Sequence, residues 1–332
     1  LYEQSRTGST SRGIIGAVSV GDYRNGRIKV HEHTLQQREE LFKVYLEATG
    51  INAEPVLLTA PKESGLEDAL SGLWSTPPTY DFSTTDRVRH RVWAVHDERT
   101  IADLSTCFAR TEALYIADGH HRYTAALEHA RAKRRLGGKA DGSRTMFCLT
   151  PSDDPGLRAY GTHRLFRGLG GAPDLAPLAD LARIQPLPDL DAAAAIQVVE
   201  SAPVKLPTYV FATRGGLHQV SVEDSSRLER LLVGVHPALR ADELTILHRA
   251  ILTALGIGAS GIDVAGGVGH TRDAAEALRE VRQGEADLAV LVRSPGGAEL
   301  AAVCAAGQRM PQKTTYFYPK LLSGCVFLDL SG

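Results

Sequence analysis

The chain has 332 residues, enough for one large or two ordinary domains. Hydrophobic residues make up 43% of it and charged residues 23%, as in ordinary globular proteins, and the formal net charge of −2 provides no basic field to attract nucleic acid or an anionic membrane. No apolar run approaches the roughly 20 residues that cross a bilayer, and residues 1–13 lack the pattern of a signal peptide. We therefore expect a cytoplasmic protein that binds neither nucleic acid nor membrane. Since residue 1 is not methionine, we also expect the natural chain to start earlier.

The first part of the chain has the pattern of alternating strands and helices. Residues 12–20 (RGIIGAVSV) predict a strand, and residues 22–30 continue it through an Asn-Gly turn as a hairpin. Further strands are predicted at 54–61, 87–97, 113–118 and 144–151. Helices are predicted at 34–49, with Thr34 as N-cap, at 63–74, at 98–110 and from about 120 to 138.

The rest of the chain continues the alternation. The predicted elements are a helix at 189–201, a hairpin at 207–222, two helices up to about 255, a helix at 273–284, and strands at 287–294 and 323–330. This order predicts an α/β fold (α+β mixed), with mixed sheets and flanking helices. A change of composition at 167–177 (RGLGGAPDLAP) predicts three regions, 1–166, 167–310 and a C-terminal strand segment at 311–332 that returns to the first.

Residues 115–127 (YIADGHHRYTAAL) concentrate reactive side chains where a predicted strand meets a predicted helix. The strand ends at Asp118, Gly119 permits a tight turn, and the helix begins at about His120. The first N–H groups of a helix attract anions, and two imidazoles and the Arg122 guanidinium add donors there. The motif therefore predicts a phosphate site, in which Asp118 holds a magnesium ion or orients an imidazole. The structural alternative is that Asp118 only caps the helix and the histidines are surface residues.

A second motif, VHEHT at residues 30–34, precedes the first predicted helix. In an extended segment, His31 and His33 share one face and Glu32 takes the other. The two histidines could belong to a metal site, although no third ligand is evident, and Glu32 could help to cap the helix. We favour Glu32 as a general base, because activation of a hydroxyl requires a proton acceptor within hydrogen-bond reach.

Two further stretches carry donors that suit an anion. In GTHRLF, His163 and Arg164 follow a predicted turn, and the arginine could neutralise phosphate charge or form a structural ion pair. Residues 312–320 (QKTTYFYPK) contain two lysines, two threonines and two tyrosines, which suit either an anion site or a solvated edge strand.

These motifs together resemble those of a large prokaryotic family known as domain of unknown function 1015. The resemblance rests on YIADGHHRYTAAL, VHEHT, THRLF and MPQKTTYFYPKLLSG, and it extends from about residue 1 to the C-terminus. The chain departs from the family pattern at Thr124 and Ala125, where Glu-Thr is common, at Thr314, where serine is frequent, and at Gly161, where proline is frequent.

The DGHHR box at residues 118–122 is also similar to the phosphate-binding box of ParB/sulfiredoxin-like proteins, which include free-serine kinases. This similarity implies a ParB/sulfiredoxin-like core within residues 1–166, and a kinase that uses ATP or ADP with Mg²⁺ to phosphorylate a small hydroxy-amino acid. Free L-serine is the best candidate for the acceptor, and Glu32 is the counterpart of the family's catalytic glutamate. Two alternatives stay open: a phosphohydrolase or nucleotidase, and a non-enzymatic nucleotide switch. The choice of ATP, ADP or CTP and the oligomeric state are also open.

The predicted roles of the candidate residues follow from these motifs. They are catalysis by Glu32, Asp118, His120 and His121; phosphate or nucleotide binding by Gly119, His120, His121, Arg122, His163, Arg164, Lys313, Thr314, Thr315 and Lys320; contact with the acceptor by His31, His33, Tyr316 and Tyr318; and metal binding by Asp118.

Overall fold

A computed structural model of the chain describes residues 1–6, 8–32, 34, 36–60, 70–135, 144–257 and 267–330. It is a mixed α/β protein with several sheets, as the sequence predicts. The chain forms two compact units. Unit 1 consists of Leu1–Arg158 and Phe317–Gly332, and unit 2 consists of Ala159–Tyr316. The division into regions 1–166, 167–310 and 311–332 stays a prediction, because a compact unit need not be an independent domain.

The strands and helices have the following bounds. The strands are β1 (Tyr2–Arg6), β2 (Ser9–Ser19), β3 (Ile28–Lys29), β4 (Ile51–Asn52), β5 (Val56–Ala60), β6 (Tyr80–Ser83), β7 (Arg89–Val92), β8 (Leu114–Asp118), β9 (Arg144–Pro151), β10 (Arg158–Gly161), β11 (His163–Phe166), β12 (Ala182–Leu187), β13 (Thr208–Thr213), β14 (Gly216–Val222), β15 (Val268–Thr271), β16 (Leu288–Leu291), β17 (Thr315–Tyr318) and β18 (Leu328–Asp329). The helices are α1 (Gln36–Thr49), α2 (Glu98–Arg110), α3 (His120–Arg135), α4 (Ala192–Glu200), α5 (Ser225–Leu231), α6 (Glu243–Ile246), α7 (Leu252–Ala254), α8 (Ala274–Gln283) and α9 (Gly297–Ala305), with a π-helical segment at Leu247–Ile251 between α6 and α7.

Unit 1 is built on an eight-stranded sheet in the order β3-β8-β5-β9-β2-β1-β7-β6. Strand β3 is parallel to β8, whereas β5 is antiparallel to β8. The end of β8 therefore lies beside the start of β5 and beside the residues that follow β3. Helix α3 leaves this edge and packs against α1 through an apolar cluster that includes Leu46, Leu127 and Leu330. The arrangement of β3, β5 and β8 decides which side chains meet at the end of β8.

Unit 2 is built on a six-stranded sheet in the order β12-β14-β13-β16-β11-β15. One of its apolar clusters contains Phe166, Val290 and Ile251, and another contains Leu165, Ala289 and Leu278. Consecutive residues of β11 and β16 thus alternate between the two faces of the sheet, as a strand requires. The predicted hairpin at 207–222 is present as β13 and β14, which pair from Thr208 opposite Ser221.

Several local predictions are wrong or incomplete. Residues 22–30 do not form a hairpin with β2: residues Val20–Tyr23 form a 3₁₀ helix, and β3 pairs with β8 instead. The predicted strand at 323–330 is reduced to β18, which pairs with β4, while Phe327 is exposed. Within the predicted helix at 63–74, residues 63–69 lie outside the described residues, and Leu73–Ser75 form a 3₁₀ turn.

Candidate functional site

The DGHHR box forms the predicted junction between a strand and a helix. Strand β8 ends at Asp118, Gly119 adopts a φ of +94°, and α3 begins at His120. A Cβ atom at position 119 would lie 2.8 Å from Nη2 of Arg122. Glycine is therefore favoured by the left-handed backbone, and a side chain there would also displace the guanidinium. The amide of Tyr123 donates to the Gly119 carbonyl at 2.9 Å, which starts the helical hydrogen bonding of α3.

Arg122 is held between two carboxylates. Its Nη1 donates to Oε1 of Glu54, and its Nη2 lies 3.2 Å from Oδ2 of Asp118 and 3.2 Å from the carbonyl of Pro55. Only 13% of the Arg122 side chain is exposed. Within the part of the chain that the structure describes, its buried Nε has no hydrogen-bond partner. The guanidinium therefore fixes the orientation of both carboxylates and retains one unused N–H donor.

Lys320 brings a second cation to Asp118 from the far end of the sequence. Its Nζ donates to Oδ1 of Asp118 at 2.7 Å, although 202 residues separate the two along the chain. The Asp118 side chain is 31% exposed and that of Lys320 is 39% exposed, so this ion pair is open to solvent. The lysine can exchange its carboxylate partner for a ligand at modest cost, because exposed ion pairs are weak.

The segment after β3 runs along the same edge of the sheet. Ile28 and Lys29 pair in parallel with Leu114 and Tyr115, and the chain continues to the buried His31 and Glu32. Since parallel strands end at the same edge, Glu32 emerges on the side where β8 ends at Asp118. His33 lies outside the described residues.

The imidazole of His31 is buried against that of His120. Their ring centroids are 4.6 Å apart with the planes at 90°. Burial lowers the pKa of His31 to about 4, and its hydrogen bond with the backbone of Ile116 and the charge of Asp118 oppose this shift only in part. His31 is therefore neutral at physiological pH and offers an imidazole rather than a positive charge. His120 is also buried, whereas its neighbour His121 is partly buried on the same helical turn.

The end of β17 also belongs to unit 1. Phe317 is buried, and its ring centroid lies 6.4 Å from that of His31. The hydroxyl of Tyr318 accepts a hydrogen bond of 2.8 Å from Nη1 of Arg6. Unit 1 thus brings together side chains from three motifs that are far apart in sequence.

His163 and Arg164 are buried in unit 2. Arg164 is 0% exposed, and its guanidinium donates to the carbonyls of Thr162, Gln312 and Lys313. Nδ1 of His163 accepts from the amide of Val292 at 3.3 Å, and burial followed by the Arg164 charge lowers the pKa of His163 to about 4. In this structure Arg164 binds backbone carbonyls, and its role in phosphate binding stays a prediction.

The other predicted residues of the C-terminal motif are also in unit 2. Lys313 has a φ of +57°, and the buried Thr314 donates to the carbonyl of Pro311 at 2.6 Å. Thr315 begins β17, and the ring of Tyr316 lies 4.4 Å below the guanidinium carbon of Arg272. Their predicted roles in binding phosphate or acceptor stay predictions.

The surroundings of Asp118 bear on its predicted metal role. Among the described residues, no group of three or more His, Cys, Asp or Glu side chains is placed to hold a metal ion. Both oxygens of Asp118 face cations, Arg122 and Lys320. These residues do not fit a resident metal. The metal role of Asp118 therefore stays a prediction.

Glu54 contacts Arg122, but the sequence motifs did not indicate Glu54 as a residue of the site. It precedes β5, so it lies at the edge where β8 ends, and its carboxylate contacts Arg122. The sequence feature that could have indicated Glu54 was its position at the start of a predicted buried strand. That feature becomes informative only when the pairing of β5 with β8 is known.

The fold and the site define a class of protein. It is a mixed α/β protein with an ion-paired cluster of Asp118, Arg122 and Lys320 where a strand of the large sheet meets a helix. In the described parts of the chain, no helix has the length and apolar character needed to cross a membrane. The family model "Protein of unknown function (DUF1015)" matches residues 1–234, and the chain belongs to this family.

Comparisons with individual proteins give structural relatives. No curated protein matches the sequence. Among solved structures, the chain is similar to a conserved hypothetical protein from Pyrococcus furiosus, with 15% identity over 96% of this chain and 97% of that one and a TM-score of 0.46. It is similar to free serine kinase in complex with AMP, with 14% identity over 94% and 92% of the two chains and a TM-score of 0.45. A C-terminally truncated SbnI from Staphylococcus aureus gives 12% identity over 93% and 85% and a TM-score of 0.44.

Proposed function

We propose that the protein is a nucleotide-dependent phosphotransferase that transfers a phosphoryl group to the hydroxyl of a small molecule. The observation that carries this proposal is the convergence of three motifs in unit 1: Glu32 follows β3, the DGHHR box follows the parallel strand β8, and Lys320 reaches Asp118. Phosphoryl transfer consists mainly of positioning and charge neutralisation, so it needs cations, a proton acceptor and a phosphate cradle at one place.

The phosphate cradle is the first turn of α3 together with Lys320. The N–H groups of a helical first turn point out of the helix toward an anion, and the exposed lysine turns from Asp118 to the phosphate. Asp118, once released by Lys320, would hold a Mg²⁺ ion that accompanies the nucleotide, and such an ion would neutralise phosphate charge. Arg122 keeps Asp118 oriented throughout, because its contact with Glu54 anchors it on the other side.

Glu32 is the proposed general base. A hydroxyl is a poor nucleophile at neutral pH, and a carboxylate that accepts its proton assists the transfer. The imidazoles of His31 and His120 pack against each other beside this segment, and the neutral ring of His31 adds no charge there. Free L-serine is the acceptor that the resemblance of the DGHHR box implies.

Phosphorus NMR of the purified protein with ATP, Mg²⁺ and pooled hydroxy-amino acids tests the proposal. A new phosphomonoester signal that depends on L-serine is the expected result. Free phosphate in place of the ester would identify a phosphohydrolase, and nucleotide binding without turnover would identify a nucleotide switch.

Glu32→Gln keeps the shape of the side chain and removes its basicity. We expect turnover to fall by at least about a hundredfold, within the usual range of general-base assistance, while nucleotide affinity measured by calorimetry changes little. Near-normal turnover of this variant would place the base elsewhere.

A further inference from the structure

Unit 1 contains a cavity of about 260 Å³ directly beside the DGHHR box. Its walls come from α1, from the end of β4 and the segment that follows it, from the first turn of α3, where Arg122 lines it, and from Ser323 of the C-terminal segment. Arg122 also contacts Asp118, so one guanidinium separates the cavity from the ion pair of Asp118 with Lys320. A ligand in the cavity and a phosphate at the box are therefore neighbours across a single side chain.

The α1 wall of the cavity is aromatic. Phe42 and Tyr45 lie three residues apart on α1, on one side of the helix, and both line the cavity together with Leu46. Leu46 is buried in the cluster between α1 and α3, but Tyr45 is 39% exposed. The two aromatic side chains are at least partly open to solvent, and planar ring systems stack on such side chains.

The lining of the cavity also includes polar side chains. The carboxylate of Glu54 lines it while Oε1 accepts from Arg122, and 35% of the Glu54 side chain is exposed. A carboxylate is an acceptor only, so it favours a ligand that presents an N–H donor. The combination of an aromatic wall with one fixed acceptor suits a flat heterocycle that carries an exocyclic amino group.

The size of the cavity sets a limit on the occupant. Pockets that enclose drug-sized ligands measure about 300–1,000 Å³. A cavity of about 260 Å³ is smaller, so it suits a single ring system rather than a whole nucleotide. The remainder of such a ligand must extend out of the cavity, and the Arg122 wall leads to the DGHHR box.

We propose that this cavity binds the adenine base of the nucleotide whose phosphates bind at the DGHHR box. The base stacks on Tyr45 and Phe42, and its amino group donates to Glu54. The assignment rests on the proposed phosphotransferase function and adds the residues that select the nucleotide. A ligand without a base, such as tripolyphosphate, uses the box alone.

Calorimetry with ATP and with tripolyphosphate, both with Mg²⁺, tests this division. Tyr45→Ala should weaken ATP binding by about 5- to 150-fold, the effect of losing one base–aromatic stack, and should leave tripolyphosphate binding unchanged. Ala53→Leu, which fills the cavity, should do the same. Leu41→Ala is the matched control, because Leu41 is 69% exposed on the same helix and does not line the cavity. It should change neither affinity.

Three outcomes would overturn the assignment. They are unchanged ATP affinity in both cavity variants, an equal loss for ATP and tripolyphosphate, and equal binding of ATP and tripolyphosphate to the unaltered protein. Saturation-transfer NMR with adenosine separates this failure from that of the proposed function. Adenosine binding that Tyr45→Ala abolishes, without any tripolyphosphate binding, would support the cavity and refute the phosphate box. Absence of adenosine binding and of ATP binding would refute both.

Discussion

Replacement of Arg164 by methionine tests whether this buried arginine is structural. Its guanidinium donates to the carbonyls of Thr162 at 2.5 Å, Gln312 at 3.0 Å and Lys313 at 3.1 Å. Methionine fills much of the same volume but leaves the three carbonyls without these donors. A buried unsatisfied carbonyl costs about 1–3 kcal/mol and a part-buried one costs less, so we expect a loss of about 2–5 kcal/mol in the free energy of unfolding.

Such a loss is a large share of the 5–15 kcal/mol that is typical of a domain. Both tryptophans, Trp74 and Trp93, are in unit 1, so their fluorescence does not report on unit 2 directly. Urea unfolding should therefore be followed by hydrogen exchange of β11 and β16. Arg183→Met, at an exposed position of β12, is the matched control and should cost less than about 0.5 kcal/mol.

An Arg164→Met protein as stable as the control would refute the structural role. If that stable variant also lost nucleotide binding, Arg164 would be a ligand-binding residue, as its motif predicted. A stability loss without any change of nucleotide affinity in the folded fraction would exclude that role.

Three further predictions concern unit 1. Gly156→Ala should destabilise the protein by about 3 kcal/mol in urea unfolding, because its Cβ would lie 2.1 Å from the backbone oxygen of Thr10. Gly72→Ala is the control and should be near neutral, because Gly72 has open space around it. Equal losses in the two variants would contradict the clash at Gly156. Gly119→Ala should cost about 1–2 kcal/mol in the same assay, because the φ of +94° disfavours a side chain, and wild-type stability would contradict the strain. Burial lowers the pKa of His31 to about 4, so the unfolded state takes up a proton at a higher pH than the folded state does. The stability that depends on a neutral His31 is therefore fully present above pH 6.5. It is lost as the pH falls toward 4, which lowers the free energy of unfolding by up to about 3 kcal/mol. His31→Gln should flatten this part of the profile of unfolding free energy against pH, and an unaltered slope would show that His31 does not titrate in this way.

Elements with a strong local signal could be predicted from the sequence. Helix α2 spans Glu98–Arg110 as predicted, because its apolar residues share one face and Asp97 caps it by accepting from the amide of Thr100 at 2.8 Å. Strands β8 and β9 and the hairpin of β13 and β14 were also predicted, since each is a short apolar run bounded by clear turn or helix signals.

Long-range pairing could not be predicted. The Asn25-Gly26 pair does mark a turn, but a turn signal does not determine whether the next strand pairs with the preceding one. Here β3 pairs with β8, which lies more than eighty residues later, because that register buries Ile28 in the core. The apolar residues within 323–330 predicted a buried strand. In the structure β18 is the part of this segment that pairs with another strand, and Leu330 packs in the core.

In the candidate site too, local features could be predicted from the sequence, whereas contacts that depend on long-range pairing could not. The junction of β8, Gly119 and α3 was visible, because it depends on neighbours in sequence. The contact of Glu54 with Arg122 was not visible, because it depends on the alignment of β5 with β8. The motif at 161–166 shows a related limit, since a buried arginine that binds carbonyls has the same sequence appearance as one that binds phosphate, and the phosphate role of Arg164 stays a prediction.

The division of unit 1 into two chain segments has a consequence for its synthesis. Residues Phe317–Gly332 leave the ribosome only after all of unit 2, and 202 residues separate Asp118 from Lys320. At about 5–20 residues per second, Asp118 waits roughly 10–40 s for its lysine partner. Unit 2 is continuous, and all of it is synthesised within that interval. The cation that faces Asp118 is therefore among the last parts to arrive, and a nascent chain lacks this ion pair until translation passes residue 320.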